Sequence, residues 1–223
     1  MKRIKLMVFP LITSVVFAGT EDIRRLSAAA SVFSEVMSIA DKAIPQELLD
    51  KAECAVIVPG LKKGAFIFGG KFGRGFLSCR KQDGAGWSAP GAIRVEGGSF
   101  GLQIGGSETD VIMLVMNRRG AERLLSSRFT LGGDASVAAG PVGRTATAQT
   151  DAFMTAEILS WSRSRGVFAG VSLQGATLRE DSSTNREIYR RSITNRTIVM
   201  ENVEVPAPAQ ELVSLLNKYS ARR

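Results

Sequence analysis

Residues 64–76 read Gly64-Ala65-Phe66-Ile67-Phe68-Gly69-Gly70-Lys71-Phe72-Gly73-Arg74-Gly75-Phe76. Phe66, Phe68, Phe72 and Phe76 share one parity, so an extended chain sets four aromatic rings on one face. The intervening glycines suit bulges, tight turns and closely packed strands, and disfavour helix. The same texture extends outward in both directions: of the 23 glycines in the 223-residue chain, 22 lie between Gly60 and Gly175. A strand-rich middle follows from that concentration.

Other segments of the middle agree. Ala55 to Val58 is a short apolar run, and Val111 to Met116 is apolar on both parities, the pattern of a central strand buried on two faces. Ala135 to Ala148 is small on both parities, as a strand in a barrel or a tightly covered sheet can be. Ser162-Arg163-Ser164-Arg165-Gly166 reads as a hairpin turn between strands from about Ala156 and through Leu173. Asp83-Gly84, Gly97-Gly98 and Gly105-Gly106 read as turns, and Arg119 to Ser127 as a short surface helix.

Helical periodicity returns at both ends. Ile23, Leu26, Ala30, Phe33 and Met37 repeat at intervals of three and four within Glu21–Lys42, with Thr20 placed to start the helix. Pro45 opens a second helix, Gln46 to Ala52; helical character resumes after Ser182 through Tyr189 and again over Glu211–Tyr219. The first helix either packs on the core or lies in a membrane surface. The expected fold is therefore α+β: one domain, a glycine-rich, mainly antiparallel sheet or barrel-like core, flanked by N- and C-terminal helices.

Composition excludes much chemistry. The chain has no histidine, which removes Ser-His-Asp and Cys-His catalysis and every imidazole-dependent metal site. The phosphate-loop spacing fails, because Ala65 stands where its first glycine belongs and Phe72 where its Ser or Thr belongs. Asp134 and Asp151 are the carboxylates placed among small residues, yet nothing in the sequence makes them converge. No enzyme, no cofactor and no metal site is expected. Trp87 and Trp161 read as core or interface anchors.

Lys2, Arg3 and Lys5 precede an apolar run from Leu6 to Ala18 that ends in small-residue cleavage chemistry, the order of a secretory signal peptide. The run is shorter than the about 20 residues a bilayer core requires. Residues 1–18 are thus expected to be a leader and 19–223 the mature domain, exported to a periplasmic or secreted location beside an envelope membrane. Losing the three basic residues lowers the formal charge from +8 to +5. Export makes nucleic acid the poorer partner. Cys54 and Cys79 meet an oxidising compartment after export, but each lies in an apolar context, and two buried thiols are favoured over a bridge.

The motifs in order resemble the SYLF domain. The matching text includes Ile44-Pro45-Gln46-Glu47-Leu48-Leu49, the stretch Gly64 to Gly75, Trp87-Ser88-Ala89-Pro90 and Gly98-Ser99-Phe100-Gly101-Leu102-Gln103-Ile104-Gly105. It continues through Asp134 to Arg144, Ser162 to Ser172 and Asn185 to Tyr189, so the likeness covers roughly Ala43 to Arg191. Trp161 stands where tyrosine is usual and Gly133 where alanine is more familiar. The resemblance implies a non-catalytic lipid-binding module, with phosphoinositides the ligands of eukaryotic members, some of which also bind actin. For an exported chain, anionic phospholipid is the expected partner, through Arg24 and Arg25 on the first helix and through Lys62, Lys63, Lys71 and Arg74 around the aromatic strand. A protein-interaction scaffold and an apolar-ligand carrier of the envelope are the alternatives. N-terminal sequencing of exported protein is expected to begin at Gly19-Thr20-Glu21; an intact Met1 contradicts the leader.

Overall fold

The computed structural model describes residues 18–39, 44–65, 68–82, 85–100, 105–142, 155–164, 167–171 and 173–220. The expected leader up to Phe17, the end of the first predicted helix, the turn at Asp83-Gly84, Asp151 and residues 143–148 of the small-residue segment lie outside them.

Nine strands among these residues form one sheet: β1 (Cys54–Ala65), β2 (Phe68–Cys79), β3 (Gly91–Phe100), β4 (Gly105–Val115), β5 (Phe129–Thr130), β6 (Val137–Ala139), β7 (Ile158–Ser164), β8 (Val167–Gly170) and β9 (Thr177–Glu180). Their order is β5-β9-β3-β2-β1-β4-β7-β6, with β8 also on β7. Every pairing is antiparallel except β6 with β7. The two outermost strands, β5 and β6, are consecutive in sequence, and Leu131 bridges Ala135 between them. The sheet therefore curls until its edges meet. Helices α1 (Ala18–Ser38), α2 (Gln46–Lys51), α3 (Arg118–Leu124), α4 (Ser182–Tyr189), α5 (Asn195–Met200) and α6 (Gln210–Tyr219) surround it. This is the α+β, barrel-like architecture that the glycine-rich middle and helical ends predict.

Alternation along the strands sends side chains into two cores. Val56, Val58, Leu77, Ile93, Val95, Val111, Met113, Val115, Phe129, Val137, Ile158 and Leu178 fill the inside of the curl, closed at one end by Ile198 and Val199 of α5. Ala55, Ile57, Phe76, Ala92, Ile112, Leu114, Leu159 and Trp161 face outward beneath Leu26, Ala29, Ala30, Phe33, Val36 and Met37 of α1 and Leu212, Val213 and Leu216 of α6. Phe33 meets Tyr219 edge-to-face at 5.9 Å. The apolar face of α1 is thus committed to the core, which removes the membrane-surface reading of that face. Packed side chains occupy the inside of the curl, where an apolar-ligand carrier would hold its cargo.

Three expectations are corrected. Cys54 and Cys79 are directly opposed on β1 and β2 and form a disulfide. Their spacing in sequence conceals a register that only strand pairing reveals. Gly97-Gly98 and Gly105-Gly106 lie within β3 and β4, not in turns. Gly106, Gly64, Gly70 and Gly98 instead make one row across four strands, bare of side chains. The four phenylalanines do not share one strand, because β1 ends at Ala65 and β2 starts at Phe68; Phe66 falls outside the described residues. Phe72 and Phe76 do share a face, but Phe76 is buried under α1 while Phe72 is 50 % exposed. Helix α5, capped by Thr194 accepting the Thr197 N–H at 3.2 Å, has no counterpart in the sequence reading.

Trp161 and Trp87 are fully buried, as anchors should be. The Trp161 indole N–H donates to the Pro141 carbonyl at 2.9 Å, and its ring lies against Gly140 so closely that an added Cβ would fall 2.0 Å from it. Trp87 donates to the Ser220 carbonyl and stacks under the Arg80 guanidinium at 4.0 Å, which ties the C-terminal helix to β2. Gly140→Ala is expected to destabilise the fold by about 1–3 kcal/mol through overpacking. Gly98→Ala, whose Cβ meets no atom within 4 Å, should stay within about 0.5 kcal/mol. Chemical denaturation of the two variants checks the contrast.

Candidate functional site

Strand directions gather the cations of the central hairpin at one end of the curl. Lys62 pairs with Phe72 on β2 and with Glu108 on β4, and Phe72 in turn opposes Glu96 on β3. These four side chains share the outer face with the buried Phe76. Lys63 directly opposes Lys71, and both take the parity of Leu61, so they project on the inner face at the end of the curl away from α5. A bulge lies between Ile57 and Lys62, where both neighbouring registers shift. Gly60 occupies it at φ +60°, with its N–H on the Asp110 carboxylate at 3.0 Å. That bulge is what turns the last third of β1, and its lysines, away from the packed core.

Two ammonium groups facing each other across antiparallel strands repel. Burial, and then the charge of Lys71, hold the Lys63 amine below the ordinary lysine range. Charging Lys63 therefore opposes folding: the penalty is present below its folded pKa and fades as pH rises towards the unfolded value. An anion between the two amines relieves that repulsion.

The helix arginines are placed differently. Arg24 is exposed and paired with Glu21 at 3.1 Å. Arg25 is mostly buried, held by Asp22 at 2.6 Å and Glu21 at 3.1 Å, and Asp22 also accepts the Thr184 hydroxyl of α4. Arg25 therefore helps join α1 to α4. Both arginines line a groove of about 660 Å³ between α1 and the β1 bulge, where Arg163 bridges Asp110, at 2.7 Å, and Glu35 of α1. Lys63 and Lys71 thus face each other on the inner side, Lys62 lies on the outer side at the same strand end, Arg24 and Arg25 line the groove, and Arg74 lies apart beside Asp181 at 3.4 Å.

Of the two carboxylates weighed as an acid–base pair, Asp151 lies outside the described residues and Asp134 is engaged by its own turn. Asp134 Oδ2 accepts the Thr130 N–H at 2.6 Å and Arg123 donates to the Asp134 carbonyl, which makes Asp134 a turn residue at the β5–β6 closure. Sequence reading missed two arginines, Arg94 and Arg179, that pairing brings level with Arg74. Only the strand register, which the sequence does not show, places them in one row.

The Ysc84 family model, described as "Las17-binding protein actin regulator", matches residues 96–219. The SH3 domain-containing protein PJ696.02 of Schizosaccharomyces pombe is 40 % identical over 182 residues, covering 80 % of this chain and 42 % of that protein. Protein YSC84 of Saccharomyces cerevisiae is 38 % identical over 181 residues, 79 % of this chain and 38 % of its own length. The human SH3 domain-containing YSC84-like protein 1 is 34 % identical over 183 residues, 82 % of this chain and 53 % of its own. The chain thus spans about half or less of the relatives it matches.

Lys71→Gln is expected to raise the Lys63 pKa without restoring it to the ordinary lysine value, because burial is the larger cause. NMR titration of the lysine side chains reads the shift, and an unchanged Lys63 contradicts the pairing.

Proposed function

The chain belongs to the Ysc84 family, the SYLF-domain proteins, and on that premise we propose that it is a non-catalytic module that adheres peripherally to anionic phospholipid. One observation carries the reading: Lys62 on the outer face and Lys63 and Lys71 on the inner face lie at the same strand end, which also presents apolar side chains to solvent. Phe72 is 50 % exposed, Val167 at the start of β8 62 %, and Val142, just after β6, 40 %. β1, β6 and β7 run in the same direction, so their C-terminal ends share this rim.

An apolar fringe among cations suits the membrane interface, where ammonium groups meet phosphate and the rings and methyls enter the headgroup boundary. The bare glycine row beside Phe72 and Lys62 leaves the sheet surface open to a headgroup. Among the described residues no helix is long and apolar enough to cross a membrane. Arg24, beside the rim, adds a cation; Arg25 supports α1 instead.

The descriptions of the relatives favour a second reading, a protein-binding scaffold. The family is described as Las17-binding and actin-regulating, and one yeast relative, 36 % identical, is named LAS seventeen-binding protein 3. Under that reading a protein partner, not lipid, covers the rim.

Co-sedimentation with phosphatidylglycerol vesicles separates the two. Binding is expected to weaken as salt rises and to be absent on phosphatidylcholine. At about 1 kcal/mol per cation, the triple change Lys62→Gln, Lys63→Gln, Lys71→Gln should lower vesicle affinity by roughly two orders of magnitude. Failure of the unaltered protein to bind anionic vesicles at low ionic strength rejects the adhesion reading.

A further inference from the structure

Away from the rim, the outer face of the sheet carries three arginines in one row. Arg74 on β2 directly opposes Arg94 on β3, and Arg94 directly opposes Arg179 on β9. Directly paired residues point to the same side, here the side of Phe76 and Ala92. At about 4.8 Å per strand, the row spans roughly 10 Å. Three like charges in register are unfavourable by themselves, and a fold that only needed solvated surface could alternate their sign.

Carboxylates within the chain answer the row only in part. Asp181 Oδ2 lies 3.4 Å from the Arg74 Nε, and Glu96 Oε2 lies 3.7 Å from the Arg179 Nε. Neither contact has hydrogen-bond geometry: Asp181 Oδ2 and the Arg179 Nε are buried and have no hydrogen-bond partner among the described residues. Asp181 cannot swing closer, because its Oδ1 accepts the Ser183 hydroxyl at 2.6 Å and the Thr184 N–H at the start of α4. Burial alone would raise the Asp181 pKa. These two hydrogen bonds, with the charges of Arg74 and Arg94, instead keep it below the ordinary carboxylate range. Arg94, at the centre, has a buried Nε without a partner and no ion pair among the described residues. Three cations thus face two fixed or loosely placed anions, with the excess charge at the middle of the row.

We propose that Arg74, Arg94 and Arg179 form an oxyanion site centred on Arg94 that takes a phosphate group. Guanidinium forks present paired N–H donors that match two phosphate oxygens at once, which lysine does not. A phosphate bridging Arg94 and either neighbour supplies the missing negative charge and accepts from donors that otherwise go unused. The site lies outside the Lys63–Lys71 rim and does not depend on membrane adhesion. Its phosphate can belong to a lipid headgroup or to a soluble molecule.

Titration of the full chain with inorganic phosphate, followed by arginine side-chain NMR at constant ionic strength against chloride, tests the site. Saturable shifts are expected at all three arginines. Arg94→Gln should weaken phosphate binding at least tenfold, Arg94→Lys should recover part of it, and the rim change Lys63→Gln, Lys71→Gln should leave it unaltered. Arg179→Gln, at a half-exposed position that tolerates substitution, guards against a folding defect in the first variant and should also weaken binding. No saturable shift in the unaltered chain, or phosphate affinity unchanged in both Arg94→Gln and Arg179→Gln, overturns the proposal. Vesicles of phosphatidic acid and of phosphatidylglycerol, matched in charge, identify the source. A preference for the phosphomonoester lipid that Arg94→Gln abolishes assigns a headgroup; equal binding to both lipids, with soluble phosphate still bound, assigns a free ligand.

Discussion

β1 and β4 are apolar on both of their faces, and water must be kept from both. Val56, Val58, Val111, Met113 and Val115 point to one side while Ala55, Ile57, Ile112 and Leu114 point to the other. A flat sheet would need two covering layers. This chain supplies one by curling the sheet onto itself, with β5 and β6 meeting at the Leu131–Ala135 bridge, and the other by laying α1 and α6 across the outside. Each apolar side chain so buried contributes about 1.5–3 kcal/mol, and no single polar contact in the structure competes with that sum. The disulfide between Cys54 and Cys79 pins β1 to β2 where both cores begin.

The positions of the charged groups follow from this arrangement. Charged side chains are absent from Cys54–Val58 of β1 and Val111–Val115 of β4 and appear beyond the Gly60 bulge and on the β2–β3–β9 flank. The lysine rim and the arginine row are therefore products of the same two-sided burial. They differ in character. Lysines at the rim are flexible point charges beside exposed apolar groups, as a fluid surface requires, whereas the arginines are fixed in register, as a defined oxyanion requires. The relatives are longer proteins, of which this chain spans 38 % to 53 %.

Much of the fold was legible in the sequence because its signals are local. The three-and-four spacing of Leu26, Phe33 and Met37 specifies which side of α1 is buried, and the two-sided apolar run at Val111–Met116 specifies a central strand. What could not be read depends on register. Cys54 opposite Cys79, Lys63 opposite Lys71, and Arg74 level with Arg94 and Arg179 are separations of 8 to 85 residues brought to one strand spacing by pairing. Gly97-Gly98 looked like a turn because glycine pairs usually are one. Here they sit in a strand, since the row from Gly106 to Gly98 needs no side chains. Arg25 looked like a surface cation because its partner Asp22 is itself a helix-start residue, and only the Thr184 hydroxyl of α4 shows that the pair is internal.

The orientation of the molecule on a membrane tests the account most directly. Nitroxide labels placed through Val167→Cys at the rim and, separately, through Asn202→Cys beyond α5 at the opposite end report depth by their accessibility to oxygen and to a water-soluble relaxant. On phosphatidylglycerol vesicles the account predicts that the label at 167 enters the apolar phase while the label at 202 stays in water. Both labels remaining aqueous on bound protein, or the label at 202 alone becoming immersed, contradicts it.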